Sequence, residues 1–152
     1  MLDTGEKLPA FSLPNQDGVV RTDADFRGKW LVLYVYPKDD TPGCTIQGRS
    51  FTATKADFDA LHAVVVGLSA DSVGSHKAFC EKFGFTIELL ADPEERLLRA
   101  LGVAQNEWKG MQFWERSTFL VDPHGVLRRM WLKVDPNGHE QVILSEIRSR
   151  QS

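Results

Sequence analysis

The longest uninterrupted apolar run is Trp30-Leu31-Val32-Leu33-Tyr34-Val35-Tyr36, rich in β-branched and aromatic side chains. A run of that length without polar alternation predicts a strand buried on both faces. Residues 63–69 repeat the pattern and predict a second one. Before them, short apolar stretches at residues 10–13 and 19–20 flank Asn15-Gln16-Asp17-Gly18, which predicts an N-terminal β-hairpin. Helical spacing is partial over residues 42–61, through Phe51, Phe58 and Leu61, and clearer over 72–83, which opens at Asp71-Ser72. A short strand is expected at 87–90. A helix follows at 93–101, with Pro93 in its first turn and Gly102 just past its end.

Residues 103–115 carry no regular period and read as an extended loop. Residues 117–121 and 126–132 flank Asp122-Pro123-His124-Gly125, a strong hairpin signal. The chain closes on an amphipathic helix at 139–148, with Val142, Ile143 and Ile147 on one face. Strands and helices alternate first and a hairpin comes late. This order predicts an α/β fold with a mixed sheet covered on both faces, as in a thioredoxin-like fold. The late hairpin argues against the all-parallel sheet of a flavodoxin-like alternative. No repeat or linker-like shift divides the chain, so residues 1–152 are expected to form a single domain.

Composition narrows the class. The 152 residues are 42% hydrophobic and 26% charged, with a net charge of −3. This balance gives no basic footprint for nucleic acid or anionic lipid. The N-terminus is charged where a signal peptide would be apolar, and the longest apolar run is far short of the ~20 residues of a membrane helix. The expectation is a cytoplasmic protein with no nucleic-acid or membrane partner. Two cysteines, Cys44 and Cys80, are too few for a disulfide scaffold, so the surroundings of each must decide its role.

Cys44 stands in Tyr36-Pro37-Lys38-Asp39-Asp40-Thr41-Pro42-Gly43-Cys44-Thr45, directly after the central strand. Pro42 favours an extended Thr41, as an N-cap requires, and itself suits the first helical position. Cys44 then falls in the first turn, among unpaired N–H groups and at the positive end of the helix dipole. A thiolate is favoured there, and the thiolate is the nucleophile, whereas free cysteine at pKa ~8.5 is mostly protonated. Gly43 lets the backbone approach a small substrate, and Thr41 can offer its hydroxyl to sulfur or to a substrate oxygen. A buried structural cysteine is the competing reading.

The motif Pro37-x-x-x-Thr41-x-x-Cys44 resembles the active-site motif of the peroxiredoxins. More narrowly, the chain is similar to the bacterioferritin-comigratory-protein or peroxiredoxin Q subfamily. The likeness extends to FSLPNQDG, WLVLYVYPKD, VVVGLSADSVGSHKAFCEKF, LLADPE and RSTFLVDPHG. It implies that Cys44 is a peroxidatic cysteine that attacks a hydroperoxide and becomes a sulfenic acid. Thr41 would hydrogen-bond the peroxide, Pro37, Pro42 and Gly43 would shape the pocket, and Arg116, just before Ser117, would stand beside the sulfur. Lys38 and Arg49 are cations near the motif without an assigned role.

Many members of the subfamily place a resolving cysteine five residues after the first, where this chain has Arg49. Others carry it on the helix after the second central strand, and the resemblance therefore assigns the resolving role to Cys80. Because Cys80 shares a helix side with Val73 and Phe83, it also reads as core filler. The resemblance further implies a monomer without metal, haem or flavin, recycled by thioredoxin or a similar dithiol. Because a disulfide needs Cα atoms within ~7 Å, bonding is expected to require unwinding at both cysteines. Three alternatives stand beside this: a 1-Cys peroxidase resolved by an external thiol, a redox sensor or chaperone-like module, and a disulfide oxidoreductase. The last lacks a Cys-x-x-Cys pair, since Gln47 occupies the second position.

His76, four residues before Cys80, reads as a surface histidine or as a modulator of that thiol. His62, His124 and His139 have no partner that the sequence identifies. Trp108, Phe113 and Trp114 read either as a pocket wall or docking surface, or as ordinary packing.

Overall fold

The computed structural model describes residues 2–151. A five-stranded sheet runs in the order β5-β4-β3-β8-β9, made of β3 (Trp30–Val35), β4 (Ala63–Ser69), β5 (Glu88–Ala91), β8 (Ser117–Val121) and β9 (Leu127–Trp131). Strands β3, β4 and β5 are parallel, and β8 pairs antiparallel with both β3 and β9. That mixed pairing is the expected thioredoxin-like arrangement and excludes the all-parallel alternative. The N-terminal hairpin is present, as β1 (Ser12–Pro14) and β2 (Val20–Thr22). Both strands start later than expected, with Ser12 paired to Thr22, Leu13 to Arg21 and Pro14 to Val20.

Strand alternation sorts the core into two layers. Leu31, Leu33 and Val35 of β3 face a cluster with Leu97, Leu98 and Leu101 of α4 (Arg96–Leu101). Val32 and Tyr34, with Tyr36 just beyond the strand, face a second cluster. It is built from Phe51, Phe58, Phe79 and Ile143 on α1 (Pro42–Ala53), α2 (Lys55–Ala60), α3 (Val73–Phe83) and α5 (His139–Gln151). Val32, Leu33 and Val35 are wholly buried, each worth about 1.5–3 kcal/mol relative to exposure. Both cysteines lie in the second layer.

Several boundaries differ from expectation for local reasons. The helical stretch at 42–61 is two helices broken at Thr54, whose hydroxyl donates to the Ser50 carbonyl at 2.8 Å. The helix expected from Pro93 begins at Arg96. Glu95 is left-handed, with φ of 62°, and Asp92 accepts from the Arg96 and Leu98 N–H groups. The stretch at 103–115 is not a loop throughout but carries a hairpin, β6 (Gln105–Trp108) and β7 (Met111–Trp114). All of β6 is exposed, so no apolar alternation announces it. Its turn, Lys109-Gly110, has positive φ at both residues, as a two-residue hairpin loop requires. The closing helix runs three residues beyond 148, to Gln151.

Candidate active site

The site forms where β3 ends and α1 begins. Thr41 is extended, with φ of −105° and ψ of 156°, and Pro42 occupies the first turn. This is the start that Pro42 dictates, and it sets Cys44 in the first turn, 1% exposed. Thr45 N–H donates to the Thr41 carbonyl at 2.9 Å, closing the first helical hydrogen bond. The N–H groups ahead of it have no intrahelical acceptor and sit at the positive end of the dipole.

Arg116 reaches this point from the residue just before β8, the strand next to β3, where Ser117 pairs with Val35. Its Nη2 lies 3.5 Å from Cys44 Sγ, and its Nη1 donates to Gln47 Oε1 at 2.6 Å. The guanidinium is forked, one nitrogen on the sulfur and the other on a carboxamide one helical turn further on. Gly43 makes the approach possible, because a Cβ there would stand 2.7 Å from Nη2. The absent side chain thus admits the arginine rather than simply a substrate. Arg116 is itself anchored, its carbonyl accepting from the Val134 N–H at 2.9 Å.

Gln47 was not legible as a site residue. It is 1% exposed, and its amide nitrogen has no hydrogen-bond partner among the described residues. The available signal was spacing: a polar residue three positions after Cys44 shares its helix face. Thr41 differs from expectation in detail, since its hydroxyl donates to the Lys38 carbonyl at 2.8 Å, not to sulfur. Its oxygen keeps lone pairs for a donor such as a peroxide O–H. Pro37 is half-buried at the start of the loop, and Pro42 is exposed at the helix start. The Arg49 guanidinium lies 5.1 Å over the Phe83 ring, a packing role.

Cys80 is free and 8% exposed, in the last turn of α3. Burial, with the Asp39 and Asp17 carboxylates, pushes its thiol up from 9.0 to about 11. His76 is not on the surface: it is fully buried, with Nδ1 2.7 Å from Asp39 Oδ2 and Nε2 2.9 Å from the Leu90 carbonyl. Its spacing from Cys80 does not announce this burial. The loop residue Asp39, distant in sequence, is what draws it inward. Asp39, Asp71 and His76 bring three potential metal-ligating atoms within 4.8 Å of one another. Those atoms are taken up by hydrogen bonds from Tyr36, Ser69, Ser75 and the Asp39 N–H.

His139 also has a partner, Thr118 Oγ1, 2.8 Å from its Nε2, and burial pushes its pKa down to about 4. Trp114 packs into the core layer opposite Cys44, under the Arg99 guanidinium, and so forms no wall at the sulfur. Trp108 is 63% exposed at the hairpin tip, with the Lys109 ammonium 4.6 Å from its ring. No helix among the described residues is long and apolar enough to cross a membrane.

A thioredoxin-like sheet presenting a cysteine at a helix start beside a remote arginine defines a class of thiol enzyme. Residues 4–130 match the AhpC/TSA family, and the chain belongs to that family of thiol-dependent peroxidases, the peroxiredoxins. Within it, the chain falls with the Bcp or peroxiredoxin Q group. It is 41% identical to Peroxiredoxin Bcp of Xanthomonas campestris, covering 98% of each chain. To Peroxiredoxin Bcp of Bacillus subtilis it is 37% identical, over 97% of this chain and 96% of that one. Among solved structures it superposes on a cysteine-to-serine mutant of Xylella fastidiosa PrxQ with a TM-score of 0.95. That match has 32% identity and covers 100% of this chain and 99% of the other. The bacterioferritin comigratory protein of X. campestris, described for its alkyl peroxide reduction activity, matches with a TM-score of 0.90 at 38% identity. It covers 99% of this chain and all of that one.

Proposed function

We propose that the chain, folded as one domain, reduces hydrogen peroxide and organic hydroperoxides through Cys44 in the cytoplasm, as a monomer. The observation that carries this reading is the Arg116 guanidinium 3.5 Å from Cys44 Sγ at the start of α1. The Cys44 thiolate attacks one peroxide oxygen and the O–O bond breaks. The other oxygen leaves as water or an alcohol after protonation, and Cys44 becomes a sulfenic acid. Arg116 complements the sulfur anion before attack and the polarised oxygens during it. Thr41 Oγ1, its proton held on the Lys38 carbonyl, accepts from the peroxide O–H. Pro37 and Pro42 shape the entrance, and Gly43 keeps room for the guanidinium.

Cys80 then resolves the sulfenate. Cys44–SOH and Cys80–SH condense to a disulfide and water, and thioredoxin or a similar dithiol restores both thiols by exchange. Two observations support Cys80: it shares the apolar layer with Cys44, and the X. campestris relative has been studied as cysteine mutants at two positions spaced as Cys44 and Cys80 are here. A second reading, a 1-Cys peroxidase resolved by an external thiol, draws on the Cys80 thiol being pushed up to about 11. In the folded protein that sulfur is a poor nucleophile, so resolution by Cys80 requires α3 to open and expose it to water.

Peroxide titration followed by peptide mass mapping without reductant tests both readings. The expected product is a Cys44–Cys80 peptide pair formed at one equivalent of peroxide. A persistent sulfenate on Cys44 with Cys80 still reduced would overturn the resolving role, and an unreacted Cys44 would overturn the whole reading.

A further inference from the structure

The loop before Cys44 is fastened to the segment that carries Cys80. Asp39 N–H donates to Asp71 at 2.9 Å, at the turn leading into α3. The Asp39 carboxylate accepts from Tyr36 Oη at 2.6 Å and from Ser75 Oγ at 2.7 Å, and meets His76 Nδ1 at 2.7 Å. At the surface, Lys82 Nζ pairs with Asp40 at 2.8 Å. The central pair is dry, with the His76 and Asp39 side chains 0% and 4% exposed. The Leu90 carbonyl can only accept, so His76 Nε2 donates to it and Nδ1 is left facing the Asp39 carboxylate. His76 thus bridges β5, through Leu90, and the Cys44 loop, through Asp39. It does so one helical turn before Cys80.

We propose that the Asp39–His76 pair is a latch that sets the fate of the Cys44 sulfenate. This rests on the reading of Cys80 as the resolving thiol. While the latch is closed, the loop ahead of Cys44 and the turn ahead of Cys80 are held in the reduced geometry. Cys80 then stays buried and protonated. Opening it releases both segments, and Cys44–SOH condenses with Cys80–SH to give the disulfide and water. A sulfenate waiting behind a closed latch meets a second hydroperoxide instead: Cys44–SOH and ROOH give Cys44–SO2H and ROH, and the enzyme is lost from the cycle. The strength of one buried pair therefore divides resolution from inactivation. A buried pair resists loss of one partner strongly, because the other is left unsatisfied.

Two substitutions at one position separate the latch from simple packing. His76→Gln keeps a donor for the Leu90 carbonyl and loses the contact to Asp39. His76→Asn keeps a donor near Asp39 and loses Leu90. Intact-mass analysis after peroxide pulses reads the ratio of disulfide to sulfinic acid, while stopped-flow kinetics reads the first oxidation. In His76→Gln the peroxide concentration that traps half of Cys44 as sulfinate is expected to rise about tenfold, with His76→Asn lying nearer the parent. The first oxidation should change by less than about twofold, since neither residue touches the sulfur. If His76→Gln does not accumulate folded, Asp39→Asn weakens the same pair from the loop side and reads the same ratio. A lower melting temperature with an unchanged ratio would overturn the latch and leave an ordinary structural pair. A parent that forms no Cys44–Cys80 disulfide would overturn the resolving role, and the latch with it. A disulfide in the parent with an unmoved ratio would sink the latch alone.

Discussion

Cys44 and Cys80 are both buried, both helical and both in the same apolar layer of the fold. Their electrostatic surroundings differ in sign. Cys44 lies in the first turn of α1, among unpaired N–H groups, with the Arg116 guanidinium 3.5 Å away. Cys80 lies in the last turn of α3, at the negative end of a helix, where burial and the carboxylates of Asp39, Asp17 and Glu81 push its thiol up to about 11. Equal burial therefore does not make equal thiols. The end of the helix a cysteine occupies, and the charge brought to it from elsewhere in the chain, separate an attacking sulfur from one that must be exposed before it reacts.

The most direct way to break this comparison is to remove each sulfur in turn. Cys44→Ser should lower peroxide turnover by at least about a thousandfold, because the nucleophile itself is gone. Cys80→Ser should leave sulfenate formation in a single turnover near the parental rate and lower only thioredoxin-supported cycling, by about tenfold or more. Stopped-flow fluorescence of the first step, beside a coupled assay of the cycle, checks both. Equal loss of the first step in the two variants would mean that the sulfurs are not divided as proposed.

A smaller effect is expected when the charge at Cys44 is removed and the sulfur kept. Arg116→Met should slow the first oxidation about 100- to 1000-fold, the usual scale for losing a preorganised donor at a reacting centre. Arg116→Lys should fall between the two. It retains a positive charge but cannot fork between Cys44 Sγ and Gln47 Oε1. The second-order rate constant with hydrogen peroxide is the measurement. A lysine variant as slow as the methionine variant would assign the effect to fork geometry rather than to charge.

The parts of this arrangement that were legible in the sequence are those that local rules determine. The apolar runs of β3 and β4 and the Thr41-Pro42 start of α1 announce themselves through period and backbone chemistry. Arg116 became visible only through family resemblance, because no local rule links it to a cysteine 72 residues away. Gln47 and His76 remained hidden for a related reason. Each is a polar side chain drawn inside by a partner distant in sequence, Arg116 for one and Asp39 for the other. Strand β6 escaped for the opposite reason: all four of its residues are exposed, so no core pattern marks it. Periodicity reports what a segment buries, and is silent on polar contacts made across the fold.

The smallest effect concerns the charges around Cys80. Its thiol is pushed up from 9.0 to about 11, so between those values the unfolded chain releases a proton that the folded chain keeps. The stability this contributes is present below the lower value and is lost as pH rises through the higher one. Cys80→Ser, with no thiol to titrate there, should lose less melting temperature than the parent between about pH 9 and 11. Asp17 supplies part of the push, and it also holds the Lys77 ammonium at 2.8 Å, a cation that on its own favours the Cys80 anion. Asp17→Asn removes the carboxylate and leaves Lys77 unopposed by it. Alkylation of Cys80 near pH 9 should then speed up about twofold, with the gain fading at about 1 M salt, where the Debye length is about 3 Å. A gain that salt does not diminish would point to a loosened α3 rather than an altered field, and would remove Asp17 from the set of charges that distinguish the two thiols.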